Sequence, residues 1–372
     1  MTKPETAAPS LRLETLDALR LLAALAVVLF HFGFRGLSLG VTDIALPAYE
    51  PVLKYGYLGV QLFFVISGFV IAYSAEGRTP LQFGIARFAR IYPTFVLCMT
   101  ITFLVVVAFG APRLQATPSQ WAANLLIKPE LLGKPALDGS YWSIFYEVVF
   151  YAWVFAFMAA GRFKRANYPA IVIGWLLISV IDRATVSSGV MRYLLLTDQS
   201  AFFCTGLILY AAFRDGYDRR ILALLALCTA VAIFQSLQLA QWNRENYHVA
   251  YSDLVGAASC IVIIATVAAA IRFPRLPLPA HLMLAIGGLT YPLYLLHQQI
   301  GYVAFNHAGQ ALQPLPLVIL VTLGLIAFSW LIWRFFERAA QSWTKSALTG
   351  LVNGPLALLS GNGPKRKEGI AN

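Results

Sequence analysis

Arg20 and His31 lie eleven residues apart in one apolar run. Eleven steps of an α-helix close to within about 20° of the starting face and rise about 16 Å. An arginine at the edge of the hydrocarbon would therefore share a stripe with an imidazole near the bilayer midplane. A neutral imidazole accepts a proton from a hydroxyl at working pH; the plainer alternative is an anchor arginine with a hydrogen-bonded core histidine. A second set lies in Tyr141-Trp142-Ser143-Ile144-Phe145-Tyr146-Glu147, where Ser143 and Glu147 are i,i+4 neighbours on one helical face. A third is Thr290-Tyr291-Pro292-Leu293-Tyr294-Leu295-Leu296-His297, in which Tyr291, Tyr294 and His297 form a ladder just after Gly287-Gly288. Glycine and proline together predict a broken or bent helix, which a membrane tolerates only where it is buried in protein or lines a cavity.

Each ionisable side chain within a span costs roughly 2.5–3.5 kcal/mol on insertion scales, so each is a candidate for function. Glu147 is hard to dismiss on that ground, since a carboxylate one or two turns into a span needs a partner. Trp142 and Tyr141 are equally readable as residues of an aromatic belt. Arg87 and Arg90 share one face in the loop after the second span, where guanidinium forks suit phosphate. Asp198 is a further acid, expected inside the sixth span, for which the sequence names no partner. Glu337 stands near cations at the end of the last span.

The elements that must hold these residues follow from composition. Of 372 residues 59% are hydrophobic and 12% charged, with a mean hydropathy of +0.69, where a soluble chain carries about 25% charged residues. The pattern is that of an all-α polytopic membrane protein. Runs long enough to cross about 30 Å of hydrocarbon predict ten spans, near 18–37, 57–75, 89–110, 141–160, 168–187, 193–213, 219–240, 252–271, 283–305 and 315–336. The first run has no small-residue cleavage site after it and reads as an uncleaved span rather than a signal peptide. Alternating the loops puts 20 of 28 Lys+Arg and 8 of 17 acids on the side of both termini. That is +12 against −1 for the other side. This is the positive-inside pattern and predicts both ends in the cytoplasm; the basic balance is topology, not a nucleic-acid footprint. Cys98, Cys204, Cys228 and Cys260 all fall in apolar runs without metal spacing and read as packing thiols. No metal is expected.

Taken together, these pieces resemble the membrane-bound acyltransferase family 3, the O-antigen, peptidoglycan and exopolysaccharide O-acetylases. The resemblance rests on Arg20 with His31; on Gly56-Tyr57-Leu58-Gly59-Val60-Gln61-Leu62-Phe63-Phe64-Val65-Ile66-Ser67-Gly68-Phe69; on Arg87, Arg90 and Pro93; on Tyr141-Trp142-Ser143 with Glu147; on Tyr291, Tyr294 and His297; and on Phe336-Glu337-Arg338. Gln61 departs from the pattern where an aspartate is common, as does Ala339 where a proline often follows. The resemblance implies that His31 is central to catalysis, that acyl-CoA arrives from the cytoplasm, and that the acceptor lies outside.

The resulting expectation is an O-acyltransferase of a bacterial inner membrane. Its domain would span 16–338, between a cytoplasmic segment 1–15 and an unstructured tail 339–372. Arg20, Arg87 and Arg90 would hold the phosphates of acyl-CoA, most simply acetyl-CoA, and no metal would be used. His31 would be general base or acyl carrier, with Glu147 orienting it. Ser143, Trp142, Tyr291, Tyr294 and His297 would bind an extracytoplasmic glycan or glycolipid or its oxyanion. The rival from another class is a proton-coupled secondary transporter, which also uses intramembrane His, Glu and Asp. The rival leaves the Arg20–His31 stripe unexplained.

Overall fold

A computed structural model describes residues 13–309 and 311–359, with side chains as far as 352. Ten long helices form the bundle: α1 Glu14–Phe30, α2 Leu58–Ala75, α3 Pro80–Phe109, α4 Tyr141–Ala159, α5 Tyr168–Ala184, α6 Ser200–Asp215, α7 Arg219–Tyr247, α8 Asp253–Arg272, α9 Ala280–Ala308 and α10 Pro314–Ile332. Among the described residues there is no strand. Among the described residues, eight helical stretches are long and apolar enough to cross a membrane, which makes this an all-α polytopic membrane protein. One of them, Gly189–Asp215, takes in a short helix and α6. Two of the ten expected spans fall outside those eight. Helix α5 has only 17 residues, and α9 is diluted by the His, Gln, Asn, Thr and Tyr side chains of its sequence.

Helix α9 runs unbroken through Pro292, so the expected break is absent. Its two glycines serve close approach instead. A Cβ at Gly287 would lie 2.7 Å from the carboxyl carbon of Asp17, and one at Gly288 would fall 1.9 Å from Trp333 Nε1. Small residues let helices meet in lipid, where no hydrophobic effect drives them together. A reciprocal contact of this kind joins α2 to α6, where Cβ atoms at Gly68 and Gly206 would each come within 2.2 Å of a facing carbonyl oxygen, those of Phe203 and Val65.

Three boundaries differ from expectation in ways that matter for the site. Helix α3 begins at Pro80, where Thr79 and Gln82 form a reciprocal capping box. Arg87 and Arg90 therefore lie within a helix rather than in a loop. Helix α6 begins only at Ser200, because Leu196 adopts a left-handed φ of 53° and ends a short helix, Gly189–Leu195. Asp198 thus sits in a turn between that short helix and α6, within the candidate span Gly189–Asp215. Helix α1 passes at His31 into a π-helical turn, His31–Arg35, closed by Gly36 N–H on the His31 carbonyl. A second π turn, Trp333–Glu337, follows α10. Single π turns often mark functional positions.

The tail expected to be unstructured from 339 is helical, Arg338–Leu359 (α11), and packs on α3; residues 360–372 lie outside the described residues, as do residues 1–12 of the N-terminal segment. The four cysteines are buried free thiols.

Candidate active site

Among the described residues, two neighbouring cavities hold the candidate side chains. The inner one has a volume of about 210 Å³ and is lined by Arg20 of α1, Arg87 and Arg90 of α3, Ser143, Glu147 and Tyr151 of α4, and Tyr291 and Tyr294 of α9. It lies toward the end of the bundle at which α1 begins. The outer cavity, about 350 Å³, is lined by His31, Arg35, Gln61, Trp142, Tyr146 and Asp198 among others, and lies toward the opposite end. Val60 and Tyr294 line both cavities and form the partition between them. Tyr294 is held there by a 2.7 Å hydrogen bond between its hydroxyl and Ser143 Oγ.

His31 is 4% exposed and is tied on both nitrogens. Its Nδ1 lies 2.8 Å from the Val27 carbonyl oxygen and 3.0 Å from His297 Nε2, and its Nε2 lies 3.1 Å from Arg35 Nη1. His297 in turn has Nδ1 2.8 Å from the Tyr294 carbonyl oxygen. It is fully buried with both ring nitrogens engaged, so it backs His31 and does not face a ligand, contrary to the acceptor-binding role expected from sequence.

Glu147 does not pair with His31. One carboxylate oxygen accepts from Ser67 Oγ at 2.9 Å and from Tyr151 Oη at 2.5 Å, all within the inner cavity. The partner that a carboxylate inside a span requires is thus a pair of hydroxyls. The two residues paired as a catalytic unit in the sequence reading stand on opposite sides of the Val60–Tyr294 partition.

The three inner arginines also differ from one another. Arg20 is ion-paired with Asp17 at 3.2 Å. Arg90 is bound to the carboxylate of Glu337, whose side chain is 1% exposed. Arg87 has a buried Nε without a hydrogen-bond partner and faces the cavity with Glu147 and Tyr151. Arg87 alone of the pair is therefore free to meet an incoming anion, while Arg90 pins the π turn after α10 to α3. Breaking a buried pair strands the remaining charge, at about 3–5 kcal/mol in fully buried cases. Arg90→Ala is expected to lower thermal stability by roughly the smaller part of that range, because Arg90 is partly exposed. Arg90→Met with Glu337→Met should recover most of it. Arg87→Ala is expected to leave unfolding unchanged and to weaken acetyl-CoA binding in a titration. Equal donor affinity in Arg87→Ala and wild type would reduce Arg87 to a topology signal.

Of the other expected residues, Tyr291 lines the inner cavity and donates to the Ile91 carbonyl at 3.2 Å, and Ser143 lines it as the latch on Tyr294. Trp142 lines the outer cavity, edge-on to Tyr146. Asp198 has partners after all: it accepts from Tyr146 Oη at 3.1 Å and lies 4.0 Å from Arg192 Nε. From sequence alone Arg35 has no role, Ser67 stands only as part of the motif at 56–69, and Tyr151 is readable as a residue of the aromatic belt. The signal for Arg35 and Tyr151 was present as i,i+4 spacing from His31 and Glu147.

A family model described as an acyltransferase domain matches residues 13–334, which take in every helix that lines the two cavities. The chain belongs to acyltransferase family 3. Among curated members of known name, it is similar to acyltransferase MdmB of Streptomyces mycarofaciens, at 30% identity over 152 residues. That match covers 38% of this chain and 38% of the relative. No solved structure matches the chain. Within this member of the family, the matched region ends inside the second π turn, so helix α11 lies beyond it.

Proposed function

We propose that the protein moves an acyl group, acetyl by preference, from acyl-CoA in the inner cavity to a hydroxyl of a glycan or lipid-linked sugar in the outer cavity. Both termini would be cytoplasmic, in a bacterial inner membrane. The observation that carries this reading is the pair of cavities meeting at Val60 and Tyr294. Acyl-CoA and a surface glycan are confined to opposite sides of a membrane, and such a chamber lets only the thioester end pass between them. The inner lining fits the donor: an unpartnered guanidinium, Arg87, and Arg20 face a slender cavity suited to a thioester arm. The outer lining, with Trp142, Tyr146 and the amide of Gln61, suits a polyhydroxylated acceptor, because rings cover the apolar face of a sugar and amides meet its hydroxyls.

His31 lines the outer cavity, which favours a general base acting on the acceptor hydroxyl over an acyl carrier on the donor side. It makes no hydrogen bond to Glu147, and its orientation comes from Val27 and His297. Purified protein in lipid nanodiscs, given acetyl-CoA labelled in the acetyl group and n-octyl β-D-glucoside, should form a labelled ester. A proton-coupled carrier would instead accumulate a solute in vesicles without consuming the thioester. Absence of ester with any hydroxylated acceptor would reject the acyltransferase reading for this chain's own activity.

A further inference from the structure

Arg35 falls four residues after His31, in the π turn, and lines the outer cavity. Its Nη1 lies 3.1 Å from His31 Nε2 and 3.4 Å from Gln298 Oε1. The space is kept by Gly139, where a Cβ would approach that same Nη1 to 3.0 Å. A guanidinium is always protonated and only donates. His31 Nε2 must therefore accept from it, and the His31 proton resides on Nδ1, shared between Val27 O and His297 Nε2. His297 carries its own proton on Nδ1, toward Tyr294 O. The hydrogen-bond network assigns these tautomers. The single lone pair of His31 thus faces a cation and the outer cavity.

We infer that Arg35 is a further catalytic residue, which donates to the oxyanion of the tetrahedral intermediate. The inference rests on His31 as base toward an acceptor hydroxyl. That hydroxyl must take the position at Nε2 now held by Nη1, so the two donors become neighbours around one lone pair. The acceptor proton passes to Nε2 and the acceptor oxygen bonds to the thioester carbonyl carbon. The carbonyl π pair becomes an oxyanion one bond from the attacking oxygen, within reach of the displaced guanidinium. Collapse restores the carbonyl and breaks the C–S bond. The leaving thiolate takes the proton back from Nε2, giving an ester, a free thiol and neutral His31. Arg183 and Arg192 also line this cavity, but they are engaged with Gln238 and Asp198, and neither hydrogen-bonds His31.

The test is Arg35→Gly in nanodiscs, with labelled acetyl-CoA and n-octyl β-D-glucoside. Removing one oxyanion donor costs about 10²–10³ in kcat, and a fall of that size is expected with KM for both substrates within a few-fold of wild type. Millimolar guanidinium or methylguanidinium, which the open cavity admits, should restore a measurable part of the rate. Urea at the same concentration, neutral and of the same shape, should not. Arg35→Lys, keeping charge without the fork, should fall between. A loss confined to KM, rescue by urea and guanidinium alike, or an Arg35→Gly enzyme within tenfold of wild type would each overturn the assignment. Wild-type protein that transfers no acetyl group would reject the functional reading itself, whereas transfer unaffected by Arg35→Gly would reject only the role of Arg35.

Discussion

His31→Ala is expected to all but abolish ester formation. A positioned general base contributes about 10²–10⁴ in rate, and the group lost here also holds Arg35 and His297 in register. The structure adds a complication, since alanine leaves His297 Nε2 without its partner and Arg35 Nη1 with Gln298 Oε1 alone. A buried group stranded in this way costs about 1–3 kcal/mol, so some thermal destabilisation is expected beside the lost activity. His31→Gln separates the two effects, because an amide keeps a donor and an acceptor near the same positions without being a useful base. Both variants should keep only a small residual rate, about 10²–10⁴ below wild type, and His31→Gln should unfold closer to wild type. Rates in nanodiscs and melting curves on the same samples decide it. A His31→Gln protein that retains more than a few per cent of the transfer rate would remove the base from His31.

The second large effect concerns Glu147. Its carboxylate accepts from Ser67 and Tyr151 in the inner cavity, beside Arg87, and lies across the partition from His31. Hydrogen bonds to a charged group contribute about 1.5–3 kcal/mol, roughly ten- to a hundredfold. Glu147→Gln should lower kcat/KM for the donor by that amount. Residues acting as one unit are strongly non-additive, whereas residues with separate tasks give losses that multiply. Combining Glu147→Gln with His31→Gln should therefore multiply the two deficits. A double variant no worse than His31→Gln alone would instead join the two residues into one catalytic unit, despite the partition between them.

What the sequence revealed about this site depended on whether a relation was local and regular. The Arg20–His31 stripe was legible because α1 is an uninterrupted α-helix up to Phe30, so constant angular steps apply. The same arithmetic stops at His31, where a π turn begins, and Arg35 was passed over as mere continuation of the chain. The helix break before Asp198 is not legible, because a left-handed leucine at 196 leaves no mark in the hydrophobic pattern. Arg90 and Glu337, 247 residues apart, were both noticed, but nothing in either segment says that one holds the other. Arg90 was consequently given to a ligand that it is not free to meet. His297 was found by its ladder with Tyr291 and Tyr294, yet its direction toward His31, 266 residues away, depends on how α9 packs on α1. The fold class needed only composition, because a chain with so few charges has nowhere to be but a bilayer. Helix α9 shows the converse: it lines both cavities and contacts His31 yet falls short of the apolar content of a span, and hydropathy alone underrates it.

The partition at Val60 and Tyr294 also has an electrical side. Two solvated cavities carry the conductivity of water toward each other from opposite faces of the bilayer. A transmembrane voltage then drops mainly across the thin wall between them instead of across the full hydrocarbon. One elementary charge moved through that drop is worth about 2.3 kcal/mol per 100 mV. In the proposed reaction the proton shuttles through His31 Nε2 on the outer-cavity side of the wall and would escape that steep drop, whereas any charged group drawn into the wall with the donor would feel it.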